Sequence, residues 1–308
     1  MTGVTVGKVE ANGLTFTVRH AGPATGRPVI LLHGFPQTSM CFAQTVAVLG
    51  RAGYRALAPD QRGYSPGARP AGVEDYALSE LCSDVLALAD ASEIDTFDLV
   101  GHDWGGMVGW WVAGLHPDRV RTFTSVSTPH PAALVAALAA DADQTQRSSY
   151  LDLFRQPDIP ERLFLGERGD GEGLRQVFAG SGIDEAAVDP YVEVLAAPGA
   201  MTAALNWYRA NDLHRADVLE LATDPELDTD PELGTDLDRA TDLEDVVVPT
   251  MYVWSTEDVA LGRRAAEATS DHVVGPYRFE VLEGVSHWIP DVAPGPLNQL
   301  LLDHLGGY

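Results

Sequence analysis

The chain has 308 residues, 45% of them hydrophobic and 21% charged, enough for one or two domains with a large buried core and too apolar for a disordered chain. Twenty Lys and Arg against 45 Asp and Glu give a net charge of −25. Such a field repels phosphate backbones and anionic membranes, so neither nucleic acid nor a membrane is expected as a partner.

The chain opens with a hairpin pattern: apolar or β-branched runs at 4–9 and 14–18 flank Asn12-Gly13, a turn dipeptide. Residues 28–32 are an unbroken apolar run, the pattern of a strand buried on both faces. Helical spacing follows at 41–51, a second strand at 54–58 and a helix at 78–91. A third buried strand is expected at 97–100, a helix at 105–115 and a strand at 122–126. Such alternation specifies an α/β fold with a parallel sheet and right-handed crossovers. From 131 to 245 the alternation stops and the pattern is mostly helical, with turns at 166–173 and 180–182. It resumes as strand 246–254, helix 263–269, strand 277–282 and helix 293–304. Residues 1–130 and 246–308 are therefore expected to form one sheet-based core, interrupted by a helical cap at 131–245.

Within that cap, residues 223–245 repeat a short acidic unit, with ten acids between Asp224 and Asp245 against one Arg. No spacing there matches a calcium loop, and a solvated linker is the expectation.

Cys41 and Cys82 are too few for a disulfide framework or a Cys-rich zinc site. The N-terminus lacks the basic start and apolar stretch of a secretory signal, and no apolar run approaches the ~18 residues of a membrane span. A cytoplasmic protein, monomeric or homodimeric, is expected.

The chemistry concentrates in Gly101-His102-Asp103-Trp104-Gly105-Gly106, which follows a buried strand and opens a helix. That is the context of a nucleophile elbow, with Asp where serine is usual. A carboxylate of pKa near ~4 is already ionised at neutral pH and suits displacement at an sp³ carbon. The resulting ester must be cleaved by water, which needs a base. In the chain order nucleophile, acid, histidine, the candidates are Asp258, preferred over Glu257, and His287 in Ser286-His287-Trp288. Each falls at the carboxyl end of a strand. Ester hydrolysis passes through an oxyanion, for which the backbone N–H groups of Trp104 and of Phe35, in His33-Gly34-Phe35-Pro36, are the expected donors. His33, Pro36, Trp207 and Trp288 are expected around the substrate pocket, and His102 as an orienting group. No metal spacing, P-loop or dinucleotide fingerprint was found, and no cofactor is expected.

With Asp60-Gln61-Arg62-Gly63-Tyr64-Ser65 and Asn206-Trp207-Tyr208-Arg209, these motifs make the chain resemble epoxide hydrolases of the α/β-hydrolase fold over almost its whole length. The resemblance implies a mostly parallel sheet with flanking helices, an inserted helical cap, and conversion of a small-molecule epoxide and water to a vicinal diol. It also implies two cap tyrosines that protonate the epoxide oxygen. Tyr208 matches one closely, and Tyr150 matches the other in a local sequence that departs from the family's aromatic-rich form. The alternatives are a haloalkane or fluoroacetate dehalogenase using the same Asp103, and a catalytically silent receptor or scaffold.

Overall fold

Strands β1 (Thr5–Ala11) and β2 (Leu14–Ala21) form an antiparallel hairpin. Asn12 and Gly13 join them at φ 46° and 71°, the positive values that a tight two-residue hairpin turn demands. The remaining strands are β3 (Pro28–Leu32), β4 (Arg55–Pro59), β5 (Phe97–His102), β6 (Val120–Val126), β7 (Thr250–Glu257) and β8 (Tyr277–Ser286). The computed structural model describes residues 3–211, 243 and 245–308, and these strands form one eight-stranded sheet in the order β1-β2-β4-β3-β5-β6-β7-β8. The β1–β2 and β2–β4 pairs are antiparallel, and every other neighbouring pair is parallel. β5 is buried throughout, whereas β1 at the edge is exposed or half-buried up to its last residue, Ala11.

Helices α1 (Ala43–Arg51), α2 (Leu78–Ala91) and α3 (Trp104–Leu115) flank the first half of the sheet. Between β6 and β7, the described residues form α4 (Pro131–Ala140), α5 (Ala142–Arg147), α6 (Tyr150–Phe154), α7 (Ile159–Leu165), α8 (Glu172–Phe178), α9 (Glu185–Leu195) and α10 (Ala200–Ala210). Their starts follow capping chemistry. His130 Nδ1 accepts from Ala132 N–H ahead of Pro131, and Asp141 and Asp184 accept from the N–H groups of Asp143 and Ala186. Helix α11 (Arg263–Ala268) lies between β7 and β8, and α12 (Ile289–Val292) and α13 (Pro294–Gly306) close the chain. Phe164, Phe178, Leu195 and Leu205 of the inserted helices share one apolar cluster with Leu31, Val100 and Val253 of the sheet. Each such side chain contributes about 1.5–3 kcal/mol by leaving water.

Several boundaries depart from the sequence pattern for physical reasons. The seventh strand begins at Thr250 rather than 246, because Pro249 has no N–H to give a ladder and Val246 makes only an isolated bridge to Val273. The eighth runs on past 282 to Ser286, where a register shift lets Glu257 pair with Ser286. The helix expected at 41–51 begins as a 3-10 turn over Ser39–Phe42, and Gly173, expected in a turn, lies inside α8. Of the acidic repeat at 223–245, all but Leu243 and Asp245 lies outside the described residues. Among the described residues no helix is long and apolar enough to cross a membrane.

Candidate active site

Asp103 occupies the single step between β5 and α3, at φ 52° and ψ −120°. A non-glycine residue there carries about 1–3 kcal/mol of backbone strain. The turn is also too tight for side chains on either flank. A Cβ on Gly101 would sit 2.1 Å from the carbonyl oxygen of Gly105, and one on Gly105 would sit 2.1 Å from that of Leu32. Thr128 fastens the elbow from β6's far end, its hydroxyl donating to the Asp103 carbonyl at 2.7 Å.

The elbow aims the Asp103 carboxylate between two groups. On one side, Phe35 N–H donates to Oδ1 at 2.8 Å, and Trp104 N–H also bonds the carboxylate. On the other, His287 Nε2 lies 3.7 Å from Oδ2. Burial opposes ionisation of Asp103, but His287, His102 and the Trp104 N–H outweigh it and hold its pKa below the usual value.

His287 follows β8 and faces Asp258, which follows β7. Its Nδ1 lies 2.8 Å from Asp258 Oδ2, so an Nδ1–H there donates to the carboxylate. The other Asp258 oxygen accepts from Ala260 and Leu261 N–H at 2.8 and 2.9 Å. Glu257, its neighbour, points into solvent. Burial works against a charged imidazole, but the Asp258 and Asp103 carboxylates on its two sides outweigh burial and raise the His287 pKa to about 10. His102 is wholly buried, with Nε2 2.9 Å from the His287 carbonyl oxygen. A carbonyl only accepts, so His102 donates through Nε2, and burial first, then His287, keep the ring neutral with a pKa of about 4. It fixes backbone, as does Ser127, whose hydroxyl donates to the same carbonyl at 3.0 Å.

Asp103, Trp104, Tyr150 and Tyr208 line one cavity of about 40 Å³. Tyr150 begins α6 and Tyr208 lies near the end of α10, their ring centroids 6.5 Å apart. Burial first, then the Asp103 charge, pushes both phenols above the usual value, and a side-chain hydrogen bond with Trp104 partly offsets this for Tyr208. The Tyr208 ring stands edge-on to Trp104 at 5.1 Å and to Phe35 at 5.3 Å. Much of the remaining wall is aliphatic: Met107, Leu134, Leu138, Leu151 and Leu261.

Four residues expected around the pocket are not among those lining this cavity. His33 is buried behind the loop, with Nε2 accepting from Gln61 N–H at 3.1 Å. Pro36 is buried beyond Phe35. Trp207 turns its indole N–H to the Arg62 carbonyl at 2.9 Å, and Trp288 packs on Phe178 with centroids 5.0 Å apart. Conversely, sequence reasoning did not single out Leu134, Leu138 or Leu261. Their signals were weak: i,i+4 spacing on α4, and adjacency to the Asp258 loop. Among the described residues no group of three His, Cys, Asp or Glu side chains is placed to hold a metal ion.

A family model described as alpha/beta hydrolase fold matches residues 27–294. The chain is 33% identical, over 99% of both chains, to the AB hydrolase superfamily protein YfhM of Bacillus subtilis. It is 29% identical to Epoxide hydrolase A of Mycobacterium tuberculosis, over 97% of this chain and 96% of that one. The crystal structure of Epoxide Hydrolase A from Mycobacterium thermoresistibile superposes with a TM-score of 0.79 at 26% identity, covering 99% of this chain and 98% of that one.

Proposed function

The chain belongs to the alpha/beta hydrolase fold family, and from that premise we propose that it is an epoxide hydrolase working through an ester on Asp103. The observation that carries the reading is the pair of phenols, Tyr150 and Tyr208, lining the same cavity as the Asp103 carboxylate. A displacement at an epoxide carbon leaves charge on oxygen, and a phenol still protonated at neutral pH can donate to it.

In the first half-reaction, the Asp103 oxygen bonds a ring carbon while the ring C–O bond breaks. The ring oxygen takes a proton from Tyr150 or Tyr208. Forming the ester removes a negative charge 3.7 Å from His287, so the imidazolium gives up its proton more readily. That proton restores the tyrosinate to a phenol, and the neutral imidazole becomes the base for the second half. His287 then takes a proton from water, whose oxygen adds to the Asp103 Cγ. The N–H groups of Phe35 and Trp104 receive the oxyanion. Collapse breaks the ester C–O bond, His287 returns the proton to the leaving alkoxide, and the diol departs. The second proton of the water passes from the Asp103 carboxyl to His287, restoring the carboxylate and the imidazolium.

Dehalogenation fits less well. Among the described residues that line the cavity, Asp103 is the only charged side chain, so a fluoroacetate carboxylate meets no cation among them. A halide leaves as a stable anion and needs no proton, so the two phenols on the cavity would have no task in that reaction. We further take residues 131–245 as a lid over the core of 1–130 and 246–308. We also read the protein as cytoplasmic, where its free, buried Cys41 and Cys82 would stay reduced, and as monomer or homodimer.

The test is a paired assay. Styrene oxide and a disubstituted epoxide are scored for diol, a bromoalkane and fluoroacetate for halide, with Asp103→Asn as control. Diol that vanishes in the variant is expected. Halide without diol would make the enzyme a dehalogenase, and silence in both arms would favour a receptor.

A further inference from the structure

We propose that Gln144, a buried residue of α5 that no step above uses, is a positioning residue that holds the Asp258 loop for hydrolysis of the Asp103 ester. The proposal rests on the epoxide-hydrolase reading. Gln144 is fully buried. Its amide Nε2 donates to Ser148 Oγ at 2.9 Å, one turn along. The same nitrogen donates to the Ala260 carbonyl at 2.9 Å, and Oε1 accepts from Gly262 N–H at 2.8 Å.

One side-chain amide therefore grips the loop on both sides of Leu261, much as a neighbouring strand would. Gly262 sits so close that a Cβ there would lie 3.2 Å from Gln144 Oε1. The N–H groups of Ala260 and Leu261 saturate Asp258 Oδ1, so the grip sets the direction of the carboxylate that orients His287. Arg147, one turn after Gln144 on the same helix, adds a hydrogen bond from Nη1 to the Asp258 carbonyl. Residues of the inserted helices thus position a carboxylate of the sheet end, and a displacement near 1 Å at such a site can cost about a hundredfold in rate.

Gln144→Leu keeps the bulk and removes both loop bonds. In single-turnover experiments with styrene oxide, decay of the alkyl-enzyme is expected to slow by about tenfold to a hundredfold, with formation much less affected. The second readout is the titration of His287 by nitrogen-15 NMR. The groups facing that imidazole are Asp258, Asp103 and His102. A slack Asp258 should lower its titration midpoint, whereas a loss of packing alone would not.

Slower decay with a lowered midpoint supports the proposal, and wild-type decay or an unmoved midpoint overturns it. Should Gln144→Leu not fold, Gln144→Asn, which keeps the amide but is one methylene too short to hold both loop groups, is expected to slow decay by a smaller factor, and wild-type decay there would overturn the proposal. If the wild type makes no diol, the epoxide reading falls, while the His287 titration still decides whether Gln144 positions the loop.

Discussion

The elbow and the loop after β7 each present an aspartate to the same histidine, yet the two carboxylates are not equivalent. Asp103 retains 16% side-chain exposure, and its Oδ2 has His287 at 3.7 Å, too far for a hydrogen bond. Asp258 has none, and its oxygens take three donors at 2.8–2.9 Å. A carboxylate saturated with donors can orient a partner but cannot reach a carbon. One with a bare oxygen on a cavity can attack. On the proposed reading, environment and not residue type divides nucleophile from orienting acid. A third buried aspartate, Asp84, sharpens the contrast. Both its oxygens bond Arg62 at 2.7 Å, and Asn12 donates to it at 2.9 Å, away from the cavity-lining residues.

Substitution of the three aspartates should break the comparison in three different ways. Asp103→Asn should abolish the ester and lower kcat by about 10⁶-fold, with no alkyl-enzyme in an intact-mass spectrum. Asp258→Asn should slow turnover by about 10⁴-fold while alkyl-enzyme accumulates as a burst, since only the water step depends on it. An Asp258 variant without a burst would show that the two aspartates do not divide the steps. Asp84→Ala leaves Arg62 buried without its main partner and should cost about 3–5 kcal/mol in denaturant unfolding, with kcat nearly unchanged.

Two smaller effects test the groups around the nucleophile. The double variant Tyr150→Phe with Tyr208→Phe should lower the rate of ester formation by about 10²–10⁴-fold. Each single variant should lose much less, because the other phenol still faces the ring oxygen. The pH profile follows from the same charges. His287 is held at about 10 while Asp103 is ionised, and the ester removes that support. The kcat profile should therefore fall on the acid side, where His287 of the alkyl-enzyme becomes protonated. Burial and the Asp103 charge push both phenols above their usual value, so no basic limb is expected below about pH 10. A basic limb nearer neutrality would mean that a phenol ionises early and that the donor assignment is wrong.

The order in which parts of the molecule became legible follows from range. The turn at Asp103 could be found in sequence because it is local: a buried strand, two flanking glycines and a helix start within a few residues. Asp258 and His287 were recoverable because each closes a strand in a fixed chain order. The sheet was legible where burial on both faces made runs such as β3 unbroken. It was blurred at Pro249 and beyond 282, where a missing N–H and a register shift, not hydrophobicity, set the strand ends. Tyr150 and Tyr208 were reached only through a family resemblance, because no periodicity marks a phenol that points into a cavity across the chain. Trp207 and Trp288 do not line the cavity but stand directly behind it, Trp207 edge-on to Trp104 and Trp288 edge-on to His287. Gln144 carried no signal at all, since its partners, Ala260 and Gly262, are backbone groups more than a hundred residues away.

The central claim is that Asp103 bonds the substrate. A single turnover of styrene oxide in water labelled with heavy oxygen, followed by mass analysis of the peptide containing Asp103, tests it most directly. Water attacks the Cγ of the ester, so one labelled oxygen should appear in the Asp103 carboxylate and none in the first diol. Label in the diol with an unlabelled Asp103 peptide would mean that water opens the ring directly and that Asp103 is not the nucleophile.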